Sequence, residues 1–207
     1  LRRNGVILSE GAAVMMLEDD DHALKRSAEI LAVIKGYANS FDPSPLFNSS
    51  PGKEGYRGVK GSKEGFPVEG KGLKNAITLA LKDAYLNPED IDCIFACANS
   101  TKGLDRMETN VIKDVFGKHA YNIPVSSIKS MVGESFSASG ALSLAAAVGT
   151  IKKGFIPPTM NYKERDPECD LDYVPNTARE KDIKNVLVIS SDPYGQNTAI
   201  VLSRYDT

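Results

Sequence analysis

Two stretches of this sequence place reactive side chains where chemistry is usually done. The first runs from Val125 through Ser126-Ser127-Ile128-Lys129-Ser130-Met131-Val132-Gly133 to Glu134 and continues into Ser135–Lys153. It reads as a short strand, a glycine turn and a long helix of small residues. Lys129 falls between strand and turn, where its side chain can reach a pocket. The second is Ile91–Asp105, whose strand-like Ile91, Ile94, Phe95 and Ala96 lead into the polar loop Asn99-Ser100-Thr101-Lys102. Both strands end in hydroxyl and amide groups beside a helix start. Open α/β sheets bind ligands at that position.

The remaining sequence supplies elements to hold these ends. Val6–Leu8 and Ala12–Leu17 read as strands around a Ser9-Glu10-Gly11 turn. Asp19-Asp20-Asp21 favours a short helix over His22–Ser27 through charge–dipole attraction. Ala28–Asn39 reads as a strand in which Gly36 marks a bulge or a close backbone contact. Leu73, Ala76, Ile77, Ala80, Leu81 and Ala84 recur at helical spacing, so Gly72–Leu86 is an amphipathic helix. Asn87-Pro88 ends it. Asp105 and Glu108 are spaced as a capping box for a helix that stops at Gly117. Ile123–Ile128 is the next strand. The small-residue helix after it suits a position between two layers. Val186-Leu187-Val188-Ile189 reads as a strand buried on both faces, and Asn197–Arg204 returns as its hairpin partner. This order predicts an α/β sheet with helices on both faces.

Composition narrows the function classes. The 207 residues carry a net charge of −2 and no dominant basic patch, which argues against nucleic acid as a partner. The apolar run Ala138–Ile151 is too short and too rich in Ala, Ser and Gly to span a bilayer. No secretory signal is read, and without an initial Met the chain reads as beginning inside a fold. Cys93, Cys97 and Cys169 are too few and too irregular for a disulfide framework or a zinc site, so a reducing cytoplasm is expected. Cys93 and Cys97, an even number of residues apart, are expected to face the same way. Residues 41 to 71 are dense in Gly, Pro, Ser and Lys, and read as a lid, a binding loop or an insertion.

In order, these segments resemble the C-terminal half of the β-ketoacyl synthases, the condensing enzymes of fatty-acid and polyketide synthesis. Gly5–Ala12 is similar to the family's GFVLGEGA segment. Ile91–Ala96 leads into the place of its HGTST motif, and Ser126–Gly133 matches SSTKSMTG. Pro157–Asn161 matches PPTxN, and Cys169–Pro175 matches CDLDYVP. The resemblance implies a thiolase-like fold of layered αβαβα type. This chain would supply the C-terminal half plus the last strands of the N-terminal half. The implied division is 1–40 for the end of the first half, 41–72 for the Gly/Pro-rich loop and 73–207 for the second half.

The resemblance also implies a site. Family members hold the acyl chain on a cysteine of the upstream half, and two histidines help decarboxylate a malonyl unit. Here the first histidine position is Cys97 and the second is Glu134. Lys129 is retained, with Asp105, Glu108 and Asn197 as structural support, while Ser143 stands where a glutamate is usual. No cofactor and no metal are implied. The pattern is similar to that of chain-length factors, non-catalytic partners of ketosynthases. Implied partners are an acyl carrier protein and a homologous catalytic ketosynthase subunit or the upstream half, in a dimer. Two alternatives stay open: a divergent active synthase, and a structural or binding module without an acyl ligand.

Overall fold

In the computed structural model, residues 5–42, 69–192 and 194–206 are described. Most of the segment read as a lid or insertion, residues 43–68, lies outside them. A five-stranded sheet is built from β1 (Val33–Phe41), β2 (Cys93–Phe95), β3 (Val125–Ser126), β6 (Asn185–Ser191) and β7 (Gln196–Ser203), in the order β1-β7-β6-β2-β3. The strands β2, β3 and β6 run parallel, while β7 is antiparallel to both β6 and β1. A separate ribbon pairs β4 (Phe155–Ile156) with β5 (Arg179–Glu180).

Helices cover both faces, as the element order predicts. The helices α2 (Lys71–Asp83) and α3 (Lys102–Phe116) cover one face, where Leu73, Ile77, Val111 and Ile112 pack with Ile94, Leu187 and Ile189. On the opposite face α5 (Ser139–Lys153) sets Ala147 and Ile151 against Cys93, Phe95, Val186 and Val188. Successive residues of β6 thus enter opposite cores, which is why its sequence is apolar without alternation. Gly36 permits a close approach of helix to sheet. A Cβ there would stand 2.6 Å from the backbone nitrogen of Ala84, and the β1–β7 register shifts between Ile34 and Gly36.

Several expectations are corrected. Residues 6–8 and 12–17 form no named strand. Leu8 makes one isolated parallel bridge to Glu134, and Val14, Met16 and Leu17 are exposed, without a ladder to hold them. The first helix, α1, spans Asp20–Lys25, because Asp19 is already its N-cap. The strand begins at Val33 instead of residue 28. The last helix begins at Ser139, after a single turn α4 (Lys129–Val132) and a 3-10 turn at Phe136–Ala138. Its inner face is buried, but Leu142, Leu144 and Val148 are only partly covered and Ala145 is exposed. The described residues supply one of the two layers expected around it. No helix among them is long and apolar enough to cross a membrane.

Candidate functional site

The floor of the site forms where β2 stops. Its ladder ends at Phe95, and Ala96 N–H still donates to Ser126 O at 2.9 Å. Beyond that point the chain leaves the sheet, with positive φ at Ala98 (36°) and Ser100 (68°). Non-glycine residues rarely adopt this conformation, at a cost of about 1 kcal/mol each. Ala98 thus adopts, with a methyl group, a conformation that glycine takes more readily. Cys93 packs in the core under α5, while Cys97 joins the core under α2 and α3 and also borders Ser139 and Ser143 of α5.

Glu108 fixes the turn. The expected capping box is not formed: α3 is capped at Thr101, and Asp105 lies inside its first turn. The Glu108 carboxylate instead accepts Cys97 N–H at 2.7 Å and Ala98 N–H at 2.9 Å. It is buried to 3% exposure, and that burial pushes its pKa up to about 7 against the pull of the two N–H donors. Asp105 keeps its place on the same helix. Its carbonyl accepts the Thr109 hydroxyl at 2.6 Å, and that hydroxyl also meets Tyr173 Oη at 2.6 Å.

Lys129 opens α4, and Gly133 closes it with φ +79°. A Cβ on Gly133 would lie 2.7 Å from Ser9 Cβ, so the passing N-terminal segment needs a glycine here. That segment is tied on by Glu134 N–H to Ile7 O at 2.8 Å and Ser9 N–H to Glu134 O at 3.0 Å. The turn brings Glu134 back onto the lysine. Lys129 Nζ stands 2.7 Å from Glu134 Oε2 and donates to Cys97 Sγ at 3.5 Å.

The three residues read as the altered family site therefore form one cluster. Cys97 Sγ–H donates to Ser191 O at 3.3 Å. Ser191 Oγ in turn bonds Asn197 Oδ1 at 2.7 Å, so Asn197 reaches the site through Ser191. The Glu134 carboxylate also accepts Phe136 N–H at 3.0 Å and the Ser139 hydroxyl.

The charge states follow from these contacts. Burial raises the Glu134 carboxyl, but Lys129, Ser139 and Phe136 more than offset it and hold it below the ordinary range. Burial lowers the Lys129 ammonium, while Cys97, Glu134 and Glu108 together shift it upward. Burial pushes the Cys97 thiol up to about 11. At neutral pH the cluster is thus a neutral thiol, an ammonium and a carboxylate. Ser139 and Phe136 are not readable as site residues, since a hydroxyl in a small-residue helix and a backbone N–H leave no spacing signal. Ser143 borders the same spot from α5.

Above the cluster lies a cleft of about 650 Å³ bordered by Lys129, Glu134, Glu108, Asp105, Met160 and Tyr173. Among the described residues no group of three or more His, Cys, Asp or Glu side chains is placed to hold a metal ion.

Residues 56–163 match the model for the β-ketoacyl synthase, C-terminal domain. The chain belongs to the β-ketoacyl synthase family. Among curated relatives of this family, a putative polyketide β-ketoacyl synthase 1 of Streptomyces virginiae is 42% identical over 97% of this chain and 44% of its own length. The tetracenomycin polyketide synthase ketoacyl synthase alpha subunit of Streptomyces glaucescens is 42% identical over 98% of this chain and 43% of its own. The chain thus spans less than half the length of these relatives.

Solved ketosynthase structures share the thiolase-like fold. One is a type II polyketide synthase acyl carrier protein in complex with its ketosynthase bound to the hexaketide. It superposes with a TM-score of 0.88 at 34% identity, covering 100% of this chain and 46% of that one. The ishigamide ketosynthase/chain length factor gives 0.85 at 36% identity, covering 99% and 46%.

Proposed function

We propose that this chain is part of a β-ketoacyl synthase-like subunit of polyketide or fatty-acid synthesis that does not itself catalyse condensation. In this reading it shapes an acyl site beside a catalytic ketosynthase, as a chain-length factor does. One observation carries the reading. Neither group at the two altered histidine positions presents a free proton to a developing oxyanion. The Cys97 thiol donates to Ser191 O, and the Glu134 carboxylate is ionised against Lys129. Condensation of this type needs preorganised donors aimed at that oxyanion, each worth a few kcal/mol.

The implied partners are an acyl carrier protein and a catalytic ketosynthase, in a dimer located in the cytoplasm. The acyl carrier protein and the chain length factor named with two structural relatives support this assignment. Lys129, Cys97 and Glu134 would be the altered active-site positions, with Asp105, Glu108 and Asn197 as their support. The long pairing of β1 with β7 favours starting the second half of the fold at residue 33. The division into residues 1–40, 41–72 and 73–207 stands beside it as the alternative.

A second reading, a divergent active synthase, is favoured by the relatives named ketoacyl synthase alpha subunit and β-ketoacyl synthase 1. To separate the two, the chain joined to an upstream half of the fold is given acyl and malonyl carrier proteins, with and without a catalytic ketosynthase. The first reading predicts products only when the partner is present. Robust condensation without it would establish the second.

A further inference from the structure

The charges around the cleft select among acyl groups, if the acyl-site reading above holds. Among the described residues, five acidic side chains, Asp105, Glu108, Glu134, Glu164 and Asp166, border the cleft against two basic ones, Lys129 and Lys163. Lys163 lies exposed at the rim, next to Glu164 in sequence. Lys129 is the inner cation, and its side chain is only 12% exposed. It is the group an incoming carboxylate would seek. Glu134 already holds it at 2.7 Å and is itself fixed by Phe136 N–H and the Ser139 hydroxyl. A carboxylated ligand would have to displace a preorganised internal carboxylate, then lie among the remaining acids. A neutral chain meets no such competition. The Ser127 hydroxyl, buried beneath the same wall, has no hydrogen-bond partner among the described residues, so the inner end of the cleft has a polar group still to satisfy.

We propose that the cleft accepts neutral acyl thioesters and rejects carboxylated ones, with Glu134 as the residue that decides between them by occupying Lys129. The ligand class is a neutral acyl group on a pantetheine-type thioester, and the excluded class is the malonyl type.

Calorimetric titration of the full chain tests this with three pantetheine thioesters: butyryl, malonyl, and the methyl half-ester of malonyl. The half-ester has nearly the shape of malonyl without its charge. Expected is similar binding of butyryl and half-ester, with malonyl on the order of tenfold weaker. The gap should shrink in 1 M salt as charges are screened. Glu134→Gln, which frees Lys129, should bring malonyl to within about threefold of the half-ester or better. Equal binding of malonyl and half-ester in the unaltered chain overturns the charge selection while leaving the acyl site intact. If no thioester binds, the acyl-site reading itself fails, and the selection with it.

Discussion

Lys129 and Glu134 form a buried ion pair, 2.7 Å from Nζ to Oε2, across the glycine turn that joins them. Both side chains are nearly enclosed, so each charge depends on the other. The pair turns its charge inward.

Glu134→Ala is therefore expected to cost about 3 kcal/mol, because it strands an enclosed ammonium. The double change Lys129→Met with Glu134→Leu removes both charges and should cost much less than the single one, close to neutral. Urea denaturation of the two variants beside the unaltered chain measures the difference. Equal losses would mean that the pair is not coupled.

Glu108 and Glu134 give opposite pH dependences in separate windows. Glu108 is raised from 4.5 to about 7 in the folded chain, so between those values the folded state holds a proton that the unfolded state has lost. Stability from this group is complete below pH 4.5, falls as pH rises, and is lost above 7. Glu134 is lowered from 4.5, so its contribution is present above that value and is lost as pH falls through its folded pKa. Glu108→Gln should flatten the slope between pH 4.5 and 7 and leave the acid limb below 4.5 in place. It should also cost about 2 kcal/mol at neutral pH, since an amide oxygen and NH2 cannot both accept the Cys97 and Ala98 N–H groups. Denaturation midpoints across pH 4 to 8 check both effects.

Gly36→Ala should destabilise the chain by about 3 kcal/mol or more, as the added methyl meets the backbone of α2 at Ala80 and Ala84. Gly103→Ala is the control. It lies exposed in the first turn of α3 with nothing within 4 Å of the new Cβ, and should gain about 0.5 kcal/mol. Thermal melts of the two variants should move in opposite directions.

The three thiols are free and buried, and burial pushes Cys93 up to about 12 and Cys97 up to about 11. Alkylation requires the exposed thiolate. Iodoacetamide at pH 7 should leave Cys93, Cys97 and Cys169 unlabelled in the native chain and label all three in urea. Rapid native labelling of Cys97 would contradict its burial against Ser191 and Lys129.

What could be read from the sequence depended on how local each signal was. The Val186–Ile189 run and the spacing of Leu73 to Ala84 report burial directly, and both elements stand where expected. Gly117 and Gly154 end their helices as read. Residues 6–17 have strand composition but no ladder partner among the described residues, and a strand needs one. Asp105 and Glu108 have capping-box spacing, yet long-range packing turns Glu108 onto residues 97 and 98. β2 stops at Phe95, so strand alternation does not extend to Cys97. Lys129, Cys97 and Glu134 could be named from the motif order. That they touch, and that the thiol proton goes to Ser191, is a matter of tertiary geometry.

The most direct test restores the two altered positions. The chain is joined to the upstream half of a relative that carries the nucleophilic cysteine, and condensation on acyl and malonyl carrier proteins is measured. The unchanged chimera should show no turnover above background. Cys97→His with Glu134→His should raise it by at least about a hundredfold, the scale of one recovered oxyanion donor. Robust turnover by the unchanged chimera, abolished by Glu134→Gln, would contradict a non-catalytic site.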